Sequence, residues 1–170
     1  MKNKILPLSL FFLLLIGLAA VAAMGYHWYT VDSPPPQPIR FSHPIHVGKV
    51  GLGCRECHKG VSVSAMAGIP SAAVCTTCHD TVAVERPEVQ KLLSYKQKGK
   101  SIPWIKVHDV GWHAQFNHKR HILAQIECDT CHGQLKAMEL VRQVRSLSMG
   151  WCVTCHRRNG AATDCLTCHK

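Results

Sequence analysis

Apolar residues are concentrated at the beginning of the chain. Residues 5–25 carry no charge, and as a helix rising about 1.5 Å per residue they would span roughly 30 Å, the thickness of a bilayer core. Further along, long apolar stripes are rare. One short amphipathic helix is predicted over 86–98, where Pro87 occupies the first turn, and 133–147 suits either a helix or an irregular strap. Most of the chain therefore needs something other than a side-chain core to hold it together.

The apolar N-terminus is predicted to be an uncleaved membrane anchor. Lys2 and Lys4 precede it, and their charge favours a cytoplasmic N-terminus, with the rest of the chain in the bacterial periplasm. A cleaved signal peptide is the alternative, since the small residues at 21–23 suit a cleavage site. The apolar run exceeds the roughly 7 to 15 residues of a signal peptide. An interfacial aromatic belt follows it, formed by Tyr26, Trp28 and Tyr29.

All ten cysteines fall into five copies of the pattern CxxCH, at 54–58, 75–79, 128–132, 152–156 and 165–169. A disulfide framework or zinc binding would also use paired cysteines, but neither requires a histidine directly after the second cysteine. That histidine is typical of c-type haem attachment. The two cysteines form thioethers with one haem, and the histidine binds its iron from the same side. The sequence therefore predicts five covalently bound haem c groups and no catalytic residue.

The attachment residues follow from the motifs. The thioether cysteines are Cys54, Cys57, Cys75, Cys78, Cys128, Cys131, Cys152, Cys155, Cys165 and Cys168, and the proximal iron ligands are His58, His79, His132, His156 and His169. Two ionisable propionates on each of five haems would add roughly −10, which offsets the formal charge of +10. The basic composition therefore does not indicate a nucleic-acid partner.

A phenylalanine followed by two histidines three residues apart occurs twice, as FSHPIH at 41–46 and FNHKRH at 116–121. Aligning these copies also aligns the first CxxCH with the third and the second with the fourth, at offsets of 75, 74 and 77 residues. The chain thus contains a duplicated two-haem module. Each copy supplies two further histidines, which is what two haems with two histidine ligands each require. The predicted distal ligands are His43, His46, His118 and His121.

The fifth haem has no partner in this repeat. By elimination, His108 is its predicted distal ligand, with His113, His27, Met149 and Met66 as the alternatives. A methionine ligand would raise the potential of that haem relative to haems with two histidine ligands.

The predicted fold class is an N-terminal transmembrane helix plus a multihaem cytochrome c domain with little regular secondary structure, its short helices and loops wrapped around five haems. The parts are an anchor (1–29, helix about 5–25), a Pro-rich linker (30–40) and a pentahaem domain (41–170). Within that domain, a two-haem module (41–79), a connector (80–115), the repeated module (116–156) and the fifth haem (157–170) follow one another. An extended linker would hold the domain about 15 to 20 Å from the membrane.

The ordered motifs resemble the pentahaem cytochrome c subunit of alternative complex III and of bacterial menaquinone reductase complexes, within the class III multihaem cytochromes c. They are FSHPIHVGKVGLGCRECH, AGIPSAAVCTTCH, IPWIKVHDV, FNHKRHILAQIECDTCHG, SMGWCVTCHR and a terminal CLTCH, behind one N-terminal anchor. The resemblance implies His43, His46, His108, His118 and His121 as distal ligands. It also implies integral-membrane quinol-binding subunits and an iron–sulfur, molybdopterin-like subunit as partners, with soluble cytochromes as a further class.

The predicted function is electron transfer between haems in a quinone-linked respiratory oxidoreductase complex, by a membrane-anchored periplasmic subunit that is not an enzyme by itself. A stand-alone quinol dehydrogenase cytochrome of the small tetrahaem type is one alternative. A multihaem reductase is another, and it would need an iron with an open position. The spare histidines argue against the reductase, and the fifth haem favours a subunit of a larger complex.

Overall fold

The computed structural model describes the backbone of residues 5–169 and the side chains of 9–26 and 33–169. Two sequence predictions lie outside these described residues. They are the orientation inferred from Lys2 and Lys4 and the roles of the His27, Trp28 and Tyr29 side chains. The chain divides into two compact units, Met1–Ser33 and Pro34–Lys170.

The first unit is a single long helix, α1 (Ile5–Asp32), of 28 residues. It continues beyond the predicted end at residue 25, because neither Pro nor Gly occurs at residues 26–32. Within it, Ser9–Tyr26 is long and apolar enough to cross a membrane, and none of that stretch is buried. Length and composition make α1 either a membrane anchor or a signal sequence.

The second unit consists of short helical elements joined by loops, and its described residues form no β-sheet. The helices are α2 (Cys54–Cys57), α3 (Ala72–His79), α4 (Pro87–Gln97), α5 (His118–Leu123), α6 (Cys128–His132), α7 (Met149–Arg158) and α8 (Cys165–Cys168). A π-helical turn spans Pro44–Lys49, and 3-10 turns span Lys59–Ser62 and Leu135–Ala137. The expected mixture of short helices and loops is confirmed. The segment 133–147 is an irregular strap apart from its 3-10 turn.

Helix α4 forms where the sequence predicted it. Pro87 occupies its first position, where a missing N–H costs nothing, and Glu88 lies in the first turn. Val89 and Leu92 are buried on one face of the helix. Leu92 belongs to a small cluster with Ile39, Ala72 and Ile102, so α4 fixes the end of the domain that carries α3.

The apolar core is too small for a domain of this length. Among the described residues, the buried apolar side chains are Ile39, Ala72, Val89, Leu92 and Ile102, and none has less than 2% of its surface exposed. The accessible surface of the chain is 13079 Å², whereas a compact protein of its mass would expose about 8,300 Å². The exposed helix α1 accounts for only part of this excess. The polypeptide of the second unit therefore leaves much surface for a cofactor to cover.

The Pro-rich segment predicted to be a spacer is largely bound to the second unit. Ile39 is 7% exposed in the apolar cluster. The Gln37 side chain donates to the Ile105 carbonyl and accepts from the Ile105 N–H, both at 2.9 Å. The Arg40 N–H donates to Glu88 Oε2 at 2.7 Å. Residues 34–40 therefore extend over the domain surface.

Glu88 is held in its ionised form by these contacts. The Lys91 ammonium donates to Glu88 Oε1 at 2.7 Å and, together with the Arg40 N–H, lowers the pKa of the Glu88 carboxyl. Lys96 pairs with Asp80 at 2.6 Å, and Lys106 pairs with Asp109. Part of the basic run in this region is therefore neutralised by local acids.

The two modules pack against each other reciprocally. The turn Pro44–Lys49 of the first module lies on the turn Leu135–Ala137 of the second, so closely that a Cβ on Gly48 would be 3.3 Å from the Lys136 carbonyl oxygen. In return, α5 of the second module packs on Lys59–Ser62 of the first. The Lys119 N–H donates to the Ser64 carbonyl at 3.1 Å. Each histidine pair thus lies beside the other module's first CxxCH motif.

Candidate haem-binding site

Each of the five CxxCH motifs, numbered 1 to 5 in chain order, lies on a helical turn. The second cysteine comes three residues after the first, and the histidine comes four residues after the first, so the three side chains lie on or near one face of the helix. Side-chain caps begin two of these helices: Ser148 accepts from the Trp151 N–H of α7, and Asp164 accepts from the Thr167 N–H of α8. The local sequence therefore forms the geometry that thioether attachment and axial ligation need.

Seven histidines each make the same kind of hydrogen bond, from ring Nδ1 to a backbone carbonyl oxygen at 2.6 to 3.0 Å. They are His46, His58, His79, His118, His121, His156 and His169. A carbonyl can only accept, so Nδ1 carries the proton and Nε2 keeps its lone pair. The same arrangement orients metal-binding histidines in other proteins.

Four pairs of histidine rings lie at the spacing expected across one metal ion. Two metal–nitrogen bonds of about 2 Å each, plus about 1.1 Å from nitrogen to ring centre on both sides, give a centroid separation of about 6 Å. The observed pairs are His46–His79 at 5.9 Å, His121–His156 at 6.0 Å, His118–His132 at 6.4 Å and His113–His169 at 5.6 Å. Each pair joins a CxxCH histidine to a histidine outside the motifs.

The duplicated histidine pairs have matching geometry. Phe41 stacks on His46 at 4.3 Å and meets His43 edge-on at 4.8 Å. In the second module, Phe116 stacks on His121 at 4.5 Å and meets His118 edge-on at 4.7 Å. The phenylalanine therefore fixes both imidazoles, which explains why the sequence repeats all three residues together.

The second histidine of each pair also makes the same hydrogen bond in both modules. The Nδ1 atoms of His46 and His121 both donate to the carbonyl four residues earlier, at 2.9 Å. His46 and His121 then lie opposite the histidines of motifs 2 and 4, the second motif of each module. The two modules are thus equivalent in structure as well as in sequence.

Histidines of both modules meet near motifs 1 and 3. His132 has parallel rings with His118, at an interplanar angle of 6°, while His108 lies edge-on to His132 at only 4.4 Å. Burial lowers the pKa of His132 to about 4, with further lowering from nearby His108, His118 and His58. Such imidazoles are neutral at pH 7, which is the form that binds metal.

His43 belongs to the same region. Burial, followed by the effects of nearby His58 and His46, lowers its pKa to about 4. His43 Nδ1 and His108 Nε2 are buried without a hydrogen-bond partner. Buried polar atoms without a hydrogen-bond partner are rare in proteins, so their presence fits a site that binds a polar or metal-containing group.

The cysteine thiols are arranged in a continuous series. Burial raises the pKa of Cys75, Cys128, Cys131 and Cys152, and a thiol of another motif raises each of them further. The neighbouring pairs are Cys75 with Cys57, Cys128 with Cys54, Cys131 with Cys155, and Cys152 with Cys168. The motifs therefore follow the spatial order 2, 1, 3, 4, 5.

These residues fit covalently attached haem. All ten cysteines are unpaired, and the described residues contain no group of three or more His, Cys, Asp or Glu side chains placed to hold one metal ion. A cavity of about 400 Å³ lies beside Cys128, with Arg55 of motif 1 in its wall. Free thiol pairs, opposed imidazoles and a sparse core together match the requirements of haem c.

The structure brings together most of the predicted ligands and differs at one point. It places His43, His46, His118 and His121 beside motif histidines, whereas His108 lies against His132. His113, which the sequence offered only as an alternative, lies beside His169, with ring centres 5.6 Å apart, but its carbonyl accepts from His169 Nδ1 and so lies on the side of that ring away from Nε2. The carbonyls that orient the rings gave no signal in the sequence, because any residue can supply them.

The fold and the site define a multihaem cytochrome c. The chain matches the family described as "Cytochrome c7 and related cytochrome c" over residues 39–99 and 114–170, more than half of its length, and it belongs to that family. The two matched segments begin just before the two histidine pairs, in agreement with the duplication.

The chain is also similar to a named subunit of a respiratory enzyme. It is the multihaem cytochrome c subunit of menaquinone reductase from Nitratidesulfovibrio vulgaris strain Hildenborough. The two are 28% identical over 189 aligned positions, which cover 91% of this chain and 88% of the relative. The resemblance stated from the motifs alone is thereby confirmed.

Proposed function

We propose that this protein is the membrane-anchored, periplasmic electron-transfer subunit of a quinone-linked respiratory complex and carries five covalently bound haem c groups. The observation that carries the proposal is the set of three opposed imidazole pairs at 5.9 to 6.4 Å. Eight of the twelve histidines form such pairs once His43 is assigned to His58, the neighbour that most affects its pKa after burial.

The residues have separate roles in this proposal. Cysteines of each motif hold one haem, and the motif histidine binds its iron. His43, His46, His118 and His121 are the distal ligands of motifs 1, 2, 3 and 4 respectively. When bound, haem supplies one-electron redox chemistry. Two histidines at each iron of motifs 1 to 4 would leave no open position for a substrate there, which favours electron transfer over a reductase.

The order of the motifs supports a continuous route through the domain. Motifs 1 and 3 are neighbours through Cys54 and Cys128, so the two modules join at their first attachment sites. Motifs 2 and 5 are the two ends of the series. Electrons would therefore enter near one end and leave near the other, passing from the first module to the second at its centre.

Helix α1 is the proposed anchor, with the N-terminus in the cytoplasm. The name of the similar protein, a subunit of menaquinone reductase, supports partners of the same kind as those implied by the motifs. These are integral-membrane quinol-binding subunits and an iron–sulfur, molybdopterin-like subunit. The chain contributes no catalytic residue of its own.

The test is purification of the tagged full-length chain from membranes under mild detergent. Covalent haem per chain, the haem spin state and the identity of the co-purifying subunits are measured on the same sample. We expect five haems, all low-spin, and co-purifying quinone-binding subunits. Replacing Cys75 and Cys78 with Ala should remove one haem and leave four.

Three results would contradict the proposal. Two or fewer haems per chain would exclude the pentahaem assignment. A chain that purifies alone and oxidises menaquinol by itself would be a stand-alone quinol dehydrogenase. A five-coordinate, high-spin haem that binds nitrite or hydroxylamine would instead indicate a reductase.

A further inference from the structure

We propose that residues 113–115 of the connector are the positioning element of the haem attached at motif 5, an inference that rests on the pentahaem function proposed above. They orient His169, the proximal ligand of that haem, through backbone hydrogen bonds. A proximal imidazole whose Nδ1–H is hydrogen-bonded is a more basic ligand. The connector therefore gives this haem a lower potential than it would have without these contacts.

Three backbone contacts join the connector to motif 5. His169 Nδ1 donates to the His113 carbonyl at 3.0 Å, although the two residues are 56 positions apart in sequence. Ala114 and His169 form an antiparallel bridge. The Gln115 N–H donates to the Cys168 carbonyl at 2.8 Å. One short stretch of connector thus holds both the proximal histidine and the second thioether cysteine of motif 5.

A turn fixes the direction of the His113 carbonyl. The Ala114 N–H donates to the Gly111 carbonyl at 2.8 Å and closes a turn over Trp112 and His113. A Cβ at residue 111 would lie 3.0 Å from both ring nitrogens of His113, so the glycine leaves room for this ring. The turn directs the His113 carbonyl to Nδ1 of His169, which leaves Nε2 of His169 with its lone pair for iron.

The other motif histidines with this kind of hydrogen bond use carbonyls close to them in sequence. His58, His79 and His156 donate to carbonyls 10, 3 and 6 residues further along the chain. His169 differs, because its acceptor comes from the connector between the two modules. The orientation of the fifth proximal ligand therefore depends on a tertiary contact.

The first module contains an equivalent contact. Gln115 precedes Phe116 as Arg40 precedes Phe41, 75 positions earlier. The Arg40 N–H donates to Glu88 Oε2 at 2.7 Å, so the same backbone position holds helix α4 in the first module. Motif 5 thus receives in the second module the contact that α4 receives in the first. Since α4 contains no CxxCH motif, the first module provides a matched control.

The experiment removes one backbone N–H at each of these equivalent positions. Gln115→Pro and Arg40→Pro lose the donor, whereas Gln115→Ala and Arg40→Ala keep it. Ala114→Pro is a second test variant, because a following proline disfavours the turn conformation of His113. His113→Ala removes the ring and keeps the carbonyl. Covalent haem per chain, electron paramagnetic resonance spectra and potentiometric titrations are measured on the full-length, haem-loaded chain, so no readout depends on activity of the complex.

We expect five low-spin haems in every variant. Gln115→Pro and Ala114→Pro should shift the midpoint potential of one haem upward, because a weakened hydrogen bond makes the proximal imidazole a poorer electron donor to oxidised iron. Gln115→Ala and His113→Ala should have the parent's potentials. Arg40→Pro should have the same potentials as Arg40→Ala, since the N–H that it removes holds α4.

A second background assigns the shift to motif 5. In a chain whose Cys165 and Cys168 are both Ala, Gln115→Pro should shift none of the four remaining potentials, because the haem that it affects is absent. A shift that persists in this background would overturn the proposal. Parent potentials in both proline variants would also overturn it, as would an equal upward shift in His113→Ala.

The outcomes separate this proposal from the function on which it rests. Should Gln115→Pro fail to accumulate, Ala114→Pro decides the result, since it leaves the Gln115 N–H in place. Absence of covalent haem from the parent would refute the proposed function. Five haems in the parent with no shift in either proline variant would refute the role of the connector alone.

Discussion

Truncation of Leu92 to Ala tests whether the small apolar cluster on α4 is the principal side-chain core of the domain. Leu92 is 5% exposed and packs with Ile39, Ala72 and Ile102. Removing a buried Leu side chain usually costs about 2 to 5 kcal/mol, depending on how far the site can collapse. Because the partly exposed rings of Tyr95 and Trp104 border this cluster, some relaxation is expected, and the cost should be about 2 to 3 kcal/mol.

The assay is urea unfolding of the haem-loaded chain in detergent, followed by far-ultraviolet circular dichroism. With a slope of about 2 kcal/mol per molar urea, the midpoint should fall by roughly 1 to 1.5 M. Leu123→Ala is the matched control, since Leu123 is 70% exposed and its truncation should change stability by no more than about 0.5 kcal/mol. Equal midpoints for the two variants would refute the view that α4 carries the core.

Four further changes test individual contacts. Glu88→Gln should lower the unfolding midpoint at pH 7. The difference between this variant and the parent should shrink as the pH falls below 4.5, the ordinary pKa of this carboxyl. A carboxyl whose pKa is lowered by folding stabilises the folded protein only while it is ionised. Gln37→Ala removes two hydrogen bonds to Ile105, so limited proteolysis should cut the segment 34–40 faster than in the parent; unchanged cutting would show that Ile39 alone holds it. Asn117→Ala removes the side-chain cap of α5 and should lower the free energy of unfolding by about 1 kcal/mol. His118→Ala should change the spectrum of one haem and leave the number of haems per chain unchanged.

Periodic and local features of this protein could be predicted from its sequence. The CxxCH motifs form helical turns because their residues at i, i+3 and i+4 share a face, and α4 begins at Pro87 because proline suits the first helical position. The repeat of Phe41 at Phe116 predicts that a second histidine pair has the same role as the first. Each of these features depends on residues close together in the sequence.

Features that depend on long-range packing could not be predicted. His113 and His108 are five residues apart in one irregular connector, and only tertiary contacts decide that His113 meets His169 while His108 meets His132. The proline run at 34–36 indicated a free spacer, but one apolar side chain, Ile39, and the amide of Gln37 fix the adjoining residues to the domain. Assigning ligands by elimination cannot distinguish His108 from His113, because the two residues are of the same type.

The reciprocal packing of the modules gives a physical reason for the duplication. The turn carrying His46 lies on the second module through Gly48, and the helix carrying His118 lies on the first through Lys119. The first module's Ala65 carbonyl orients the His118 ring, whereas carbonyls of their own modules orient His46 and His121. Since so little apolar surface is buried, contacts of this kind and the proposed haems must together replace the missing core. The same packing of the two modules brings motifs 1 and 3 side by side, so the contact that stabilises the two modules also brings their cofactors together.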